Sequence, residues 1–181
     1  MCRLNTKKYP WLISKYEIGD EIEEYEVLDS LPDGWLISFG DLMCEDLDEV
    51  IRRDNLTDFR IDDAKEKYGS VRIYSSGGND ATEHIIDTYS QLSENICMIC
   101  GKPDVYMTTA GWLFPCCKDC WEKNEYHPSY EQAISKEDSG KMADTYGYIR
   151  YQNDEKKEYT FDISATADKI RKHWNEITEQ E

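Results

Sequence analysis

The sequence predicts an α+β fold, a small antiparallel sheet with flanking helices that is closed by a four-cysteine knuckle. Three observations predict it. Phe39, Leu42, Met43, Leu47, Val50 and Ile51 recur at three- and four-residue steps, the spacing of one helix face. Val71 and Ile73 alternate with Arg72 and Tyr74 after Lys67-Tyr68-Gly69-Ser70, as a half-buried strand leaving a tight turn does. Two Cys-x-x-Cys pairs, Cys97/Cys100 and Cys117/Cys120, lie sixteen residues apart.

Composition sets the bounds. A chain of 181 residues with 39% apolar and 12% aromatic residues can bury a core in one domain, or in one domain with an appendage. Lys and Arg total 21 against 38 Asp and Glu, a formal charge of −17. That balance opposes binding to phosphate backbones and anionic membranes, where affinity rests on cationic side chains. No apolar run approaches the roughly 20 residues that cross a bilayer, and the N-terminus leads into no signal core, so a cytoplasmic location is expected.

In chain order, residues 17–29 hold seven carboxylates and no Lys or Arg. Glu21, Glu23, Glu24, Glu26 and Asp29 are the candidate partner-binding residues within it, against the simpler reading of a solvated strand or helix face. Leu31-Pro32-Asp33-Gly34 marks a turn, and the stripe from Phe39 to Ile51 predicts a helix over about residues 38–54. Cys44 beside that stripe reads as a small buried hydrophobe. Residues 59–75 read as a hairpin. Gly77-Gly78-Asn79-Asp80 then breaks the chain, with Asp80 or Thr82 as cap of a helix over about 81–94 that carries Ile85, Ile86, Tyr89 and Leu92 on one face.

That helix delivers the chain to Cys97. Of seven cysteines, five fall between 97 and 120, a distribution that suits a metal site in a reducing compartment better than a disulfide framework. Two residues between thiolates let a tight turn aim both sulfurs at one tetrahedral ion, and Gly101 tolerates the backbone such a turn needs. Cys97, Cys100, Cys117 and Cys120 are therefore the predicted ligands of a zinc ion. Cys117 is preferred to Cys116 because it repeats the two-residue spacing of the first pair. Four thiolates leave no open position, so the ion's expected role is structural. A redox pair and an iron–sulfur cluster are the alternatives for the same thiols; no thioredoxin-like βαβ pattern surrounds them.

After a polar loop holding His127-Pro128 and Lys136-Glu137-Asp138-Ser139-Gly140, two strands are expected at Tyr146-Gly147-Tyr148-Ile149-Arg150-Tyr151 and Glu158-Tyr159-Thr160-Phe161-Asp162-Ile163. Ser164 is then the expected cap of a final helix with Ile170, Trp174 and Ile177 on a narrow stripe. The predicted organisation is an α+β domain over 1–125, ending in the knuckle, and a hairpin plus helix over 126–181 packed on it.

The order Tyr9-Pro10, Asp33-Gly34-Trp35, Lys65-Glu66-Lys67-Tyr68-Gly69-Ser70-Val71-Arg72-Ile73-Tyr74, Cys97-x-x-Cys100-Gly101, Gly111-Trp112 and Cys117-x-x-Cys120 resembles a family of small uncharacterised bacterial and phage proteins. Their pattern is a Gly-Trp-led helix, a Lys-Glu-Lys-Phe-Gly hairpin, a helix and a zinc-ribbon-like end. The resemblance covers about residues 7–120 and departs from the pattern at Asp62 and Asp63. It implies an architecture, a second knuckle with two-residue spacing at Cys117, and a mobile-element setting; it implies no reaction.

For function, the chain reads as a non-enzyme, an acidic protein that binds a basic protein partner and occludes it, as an inhibitor or immunity protein does. The alternatives are a zinc-ribbon module associated with nucleic acid and, from Asp63-x-Lys65 with Asp46 and Asp48, a metal-dependent nuclease. His84, His127 and His173 are widely spaced and pair with no nucleophile in the sequence.

Overall fold

The computed structural model describes residues 7–18, 21–109, 111–135, 140, 142, 148–152 and 158–179, with the backbone alone for 16–18, 21–22, 148–152 and 158–160. The N-terminal stretch 1–6, Asp20, the loop residues 136–139, Tyr146 and Gly147, and the connection 153–157 lie outside the described residues, as does the side chain of Glu21.

The α+β class stands as predicted. In place of one sheet, the described strands form four separate two-stranded antiparallel sheets: β1 (Ile13–Ile18) with β2 (Glu21–Glu26), β3 (Arg60–Lys67) with β4 (Ser70–Ser76), β5 (Tyr106–Thr109) with β6 (Leu113–Cys116), and β7 (Tyr148–Gln152) with β8 (Glu158–Asp162). Side chains and irregular segments cover parts of the edges that would otherwise join them. The Ser93 hydroxyl accepts from the Val71 N–H, Ile134 bridges to Thr108, and the Met98 N–H donates to the Pro115 carbonyl.

The first helix starts earlier than its apolar stripe suggests. α1 (Asp33–Trp35) runs without a break through a π-helical stretch, Leu36–Gly40, into α2 (Asp41–Arg53). The wider turn inserts a residue into the helical repeat, and Trp35, Leu36 and Phe39 are buried together with Leu42, Met43, Leu47 and Val50. Arg52 and Arg53 occupy the last turn, where the helix dipole favours cations. Cys44 is wholly buried, and its thiol is pushed up by that burial, in keeping with a core role.

The β3–β4 hairpin turns at Tyr68 and Gly69, both at positive φ (56° and 78°), the backbone of the two-residue turn that matches strand twist. A bulge between Ile61 and Asp63 breaks the alternation of β3 by one residue. Ile61 and Ala64, three apart, both face the core as a result.

α3 (Asp80–Ser93) buries Ile85, Ile86, Tyr89 and Leu92 as its periodicity predicts. Its cap is Asn79, not Asp80 or Thr82. The Asn79 side chain accepts from the Ala81 and Thr82 N–H groups, and the Thr82 hydroxyl accepts from the Asn79 N–H at 2.9 Å, a capping box closed by Thr82 from the N3 position. After the short helices α4 (Lys118–Lys123) and α5 (Tyr130–Ala133), the last helix, α6 (Ile163–Thr178), shows the same displacement: Asp162, not Ser164, caps it, accepting from the N–H groups of Ser164 and Ala165. The Ser164 hydroxyl is buried with no hydrogen-bond partner among the described residues.

α6 is fastened along its length. Asp46 accepts from both the Tyr89 hydroxyl (2.6 Å) and Lys169 (2.7 Å), joining α2, α3 and α6. Arg171 makes two bonds, 2.8 and 2.9 Å, to the Asp104 carboxylate, and His173 Nε2 lies 3.3 Å from the Ile37 carbonyl. Ile170 is fully buried, whereas Trp174 and Ile177 are half-buried.

Asp162→Ala is expected to lower stability by about 1 kcal/mol, the usual cost of a lost cap, while Ser164→Ala should be close to neutral because it removes an unsatisfied hydroxyl. Urea denaturation of the two variants checks the assignment, which the reverse order of effects would contradict.

Candidate metal centre

Below α3 the chain closes into a knuckle. Asn95 and Val105 are tied by two bonds of 3.1 Å, Ile96 bridges to Pro103, the Cys97 N–H donates to the Lys102 carbonyl, and the Gly101 N–H donates to the Cys97 carbonyl. Gly101, at φ 87°, supplies the left-handed residue that this turn requires. The second knuckle begins where β6 ends. Cys117 is the N-cap of α4 (Lys118–Lys123), and its sulfur accepts from the Cys120 N–H at 3.4 Å. The Met98 N–H to Pro115 carbonyl bond, 3.1 Å, holds the two knuckles together.

The sulfurs of Cys97, Cys100, Cys117 and Cys120 all lie within 4.8 Å of one another, the four residues singled out by spacing. Cys100 and Cys117 are 3.7 Å apart. That is far beyond the roughly 2.05 Å of a disulfide and close to the edge, about 3.8 Å, of a sulfur tetrahedron around an ion at about 2.3 Å. Cys97, Cys117 and Cys120 are buried and Cys100 partly so. The donor set therefore fits a tetrahedral metal ion.

Cys116, the alternative to Cys117, is buried outside this group and its thiol donates to the Cys117 carbonyl at 3.4 Å. Its strand position explains the exclusion: Cys116 pairs with Tyr106 across β6, whereas Cys117 has left the sheet for the helix cap.

The thiols of the cluster perturb one another. Hydrogen bonds from Cys100, then from Cys116 and Cys117, hold Cys97 far below the ordinary thiol range. Cys100 is pushed up by its hydrogen bonds to Cys117 and Cys97, and Cys116 by its hydrogen bond to Cys97. Cys120 is raised to about 12, by burial first and then by the charge on Cys97. Thiolates gathered this closely repel one another, and a bound metal ion takes the place of their protons.

The helix start is built against this centre. The Gly34 N–H donates to the Met98 carbonyl at 3.0 Å, and the Trp35 indole N–H donates to the Ile96 carbonyl at 2.9 Å. A Cβ on Gly34 would lie 2.3 Å from the Cys97 carbonyl oxygen, and one on Gly101 would lie 2.6 Å from the Gly34 oxygen and 3.2 Å from the Trp174 ring. The Gly-Trp pair in the sequence thus carries a packing role toward the metal centre that periodicity does not disclose; the glycines paired with Trp35 and Cys100 were the available signal.

Behind the second knuckle, Phe114 stacks on Trp121 at 5.7 Å, and Tyr126 and Tyr130 pack edgewise around them. The Trp121 indole N–H donates to the Pro128 carbonyl and the Tyr130 hydroxyl to the Cys116 carbonyl, both at 3.0 Å. These aromatics make a small core of their own with Cys97, Cys116, Cys117 and Cys120. Phe114 stands in the connection between the two Cys-x-x-Cys pairs; Trp121, Tyr126 and Tyr130 carry no pattern in the sequence that marks them.

No family model, curated protein or solved structure matches the chain. Among the described residues, no helix is long and apolar enough to cross a membrane.

The acidic candidates do not form one array. Pairing of β2 with β1 puts Glu24 and Glu26 opposite Lys15 and Ile13, and Glu23 opposite Tyr16; with alternation along the strand, Glu23 belongs to the other face. Glu24 is ion-paired with Lys15 at 2.7 Å, Glu23 and Asp29 are exposed, and Glu26 is partly buried. The carboxylates of the nuclease alternative are likewise engaged: Asp46 as above, Asp48 with Arg52, and Asp63 with Lys65.

Replacing Cys97, Cys100, Cys117 or Cys120 by Ser is expected to abolish stoichiometric metal binding, whereas Cys116→Ala should retain one equivalent; metal analysis of the purified variants decides. Gly34→Ala has no room to relax against backbone and should cost about 3 kcal/mol, the upper end of overpacking penalties, read as a fall in the denaturation midpoint with metal present.

Proposed function

We propose that the chain is an acidic, zinc-stabilised protein-binding protein whose partner is a basic protein. Zinc is the ion that this reading places in the cluster: four thiolates in tetrahedral array close its coordination shell, so it fastens structure and activates no water. The binding role is that of an inhibitor or immunity protein of phage or mobile-element type, which occludes a toxin or a nucleic-acid-binding protein.

The observation that carries this reading is the balance of charge around the metal module. The chain bears −17, and the two cations between residues 97 and 120 are already engaged, Lys102 with Asp119 and Lys118 with Glu122 and Glu131. A surface of this kind repels phosphate and draws in a positive partner, raising encounter rates through complementary potential. Exposed Glu23, Glu24 and Asp29 are the proposed contacts, with Glu21 and Glu26 in the same segment.

One observation favours the nucleic-acid module as a second reading. Trp112, beside the β5–β6 turn, is 60% exposed while stacking on Phe114 at 5.7 Å, a platform on which a base can stack.

Affinity capture with the zinc-loaded chain, from cells of its host with and without phage infection, is expected to recover a basic protein, and reversing the charges of Glu23, Glu24 and Asp29 together should reduce the yield. Labelled single- and double-stranded DNA and RNA at low salt should remain unbound. Binding that falls steeply as salt rises, and that Trp112→Ala removes, would replace the first reading with the second.

A further inference from the structure

We propose that the open edge of β4, beside α3, docks an extended Lys- or Arg-bearing segment of the basic partner as an added strand. The inference rests on the reading of a basic partner given above and adds where and how such a partner would be held.

The hairpin turn sets the geometry. Lys67 and Ser70 face each other across Tyr68 and Gly69, so they form the first hydrogen-bonded pair. The N–H and C=O groups of Val71, Ile73 and Ser75 consequently point away from β3. At Val71 these groups are satisfied from α3: its N–H donates to the Ser93 hydroxyl at 3.0 Å, and its carbonyl accepts from the Ser90 hydroxyl at 2.6 Å and from Arg72 at 3.1 Å. At Ile73 and Ser75 no such partner occurs among the described residues. On the opposite edge of the hairpin, the Ser30 hydroxyl donates to the Ala64 carbonyl at 2.5 Å.

Where the edge opens, the structure forms a groove of about 250 Å³ lined by Ile73, Tyr74, Ser75, Glu83, Ile86 and Asp87. Its apolar floor is the buried Ile86, and Tyr74 is half exposed at its side. Glu83 and Asp87, one helical turn apart, are both exposed, and among the described residues no Lys, Arg or His lines the groove. Unmet backbone groups in a row recruit a strand, and alternate side chains of that strand then meet the wall beside it. With two carboxylates on that wall, the complementary side chains are cationic.

This surface is distinct from the β1–β2 carboxylates. It has the backbone component that a charged strand face lacks, so charge alone does not account for its specificity.

The test uses the full, zinc-loaded chain and a labelled probe, acetyl-Lys-Val-Arg-Val-Lys-Val-amide. Two copies of the probe, N-methylated at the valines or at the basic residues, keep its charge while blocking one or the other set of N–H donors. The parent peptide is expected to bind, one methylated copy at least tenfold more weakly, and Glu83→Lys with Asp87→Lys at least tenfold more weakly. Amide exchange at Ile73 and Ser75 should slow on peptide addition. Because both replaced residues are exposed, the variant should fold; Glu83→Gln with Asp87→Asn provides a milder pair whose effect should have the same sign. No binding of the parent, equal binding by all three peptides, or unchanged exchange at Ile73 and Ser75 overturns the inference. In the capture experiment, a variant that recovers the basic partner as well as the unaltered chain overturns the groove while leaving the reading of a basic partner intact. Recovery of no basic protein by the unaltered chain overturns that reading.

Discussion

The first turn of the long helix and the first cysteine knuckle occupy each other's space so closely that neither can be placed without the other. Gly34 brings its backbone against the Cys97 and Met98 carbonyls, and Trp35, fully buried, returns a hydrogen bond to Ile96. Gly101 lets the knuckle approach from the other side, with the Trp174 ring of α6 over it. Helix start, knuckle and C-terminal helix thereby converge on a few backbone atoms. A metal ion that fixes the cysteine loops fixes this junction, and through Trp35 and Phe39 it fixes the orientation of the main core. In zinc-finger peptides such ions contribute about 10–16 kcal/mol of apparent binding free energy, more than the net stability of a typical domain.

The remaining connections have the same economy. Four two-stranded sheets have little independent stability, since an isolated hairpin is marginal in water. Two of them are supported by something other than a strand: α3 side chains at Val71 of β4, Ile134 and Ser135 at β5, Met98 at β6. Asp46 and Asp104, each bound from two directions, then join α6 to the helical core and to the metal module. Charges held in this way serve structure; over the whole chain the carboxylates outnumber Lys and Arg, 38 to 21.

What could be read from the residues alone follows the range of the interactions concerned. The stripe from Phe39 to Val50, the turn at Tyr68-Gly69 and the two knuckles are set by local periodicity and spacing, and the structure has them where these place them. The helix caps slipped by one to three residues because several polar side chains stood at each boundary. Only the direction of the first free N–H groups distinguishes Asn79 from Asp80 and Thr82, or Asp162 from Ser164. The bulge at Asp62 left no mark, because Ile61 and Ala64 violate a period of two only once their common burial is known. The acidic run from residue 17 to 29 reads as one patch in a line of letters, yet pleating divides Glu23 from Glu24 and Glu26. The role of Gly34 depends on contacts more than sixty residues away in sequence, beyond the reach of any local pattern.

If metal binding at the knuckles holds the helix start in place, hydrogen exchange at the Trp35 indole N–H, followed by NMR in the zinc-loaded and the chelated chain, reads it out. Exchange is expected to be slow with zinc and at least tenfold faster without it, together with loss of protection over the first turns of the helix. Equal protection in both states would contradict it.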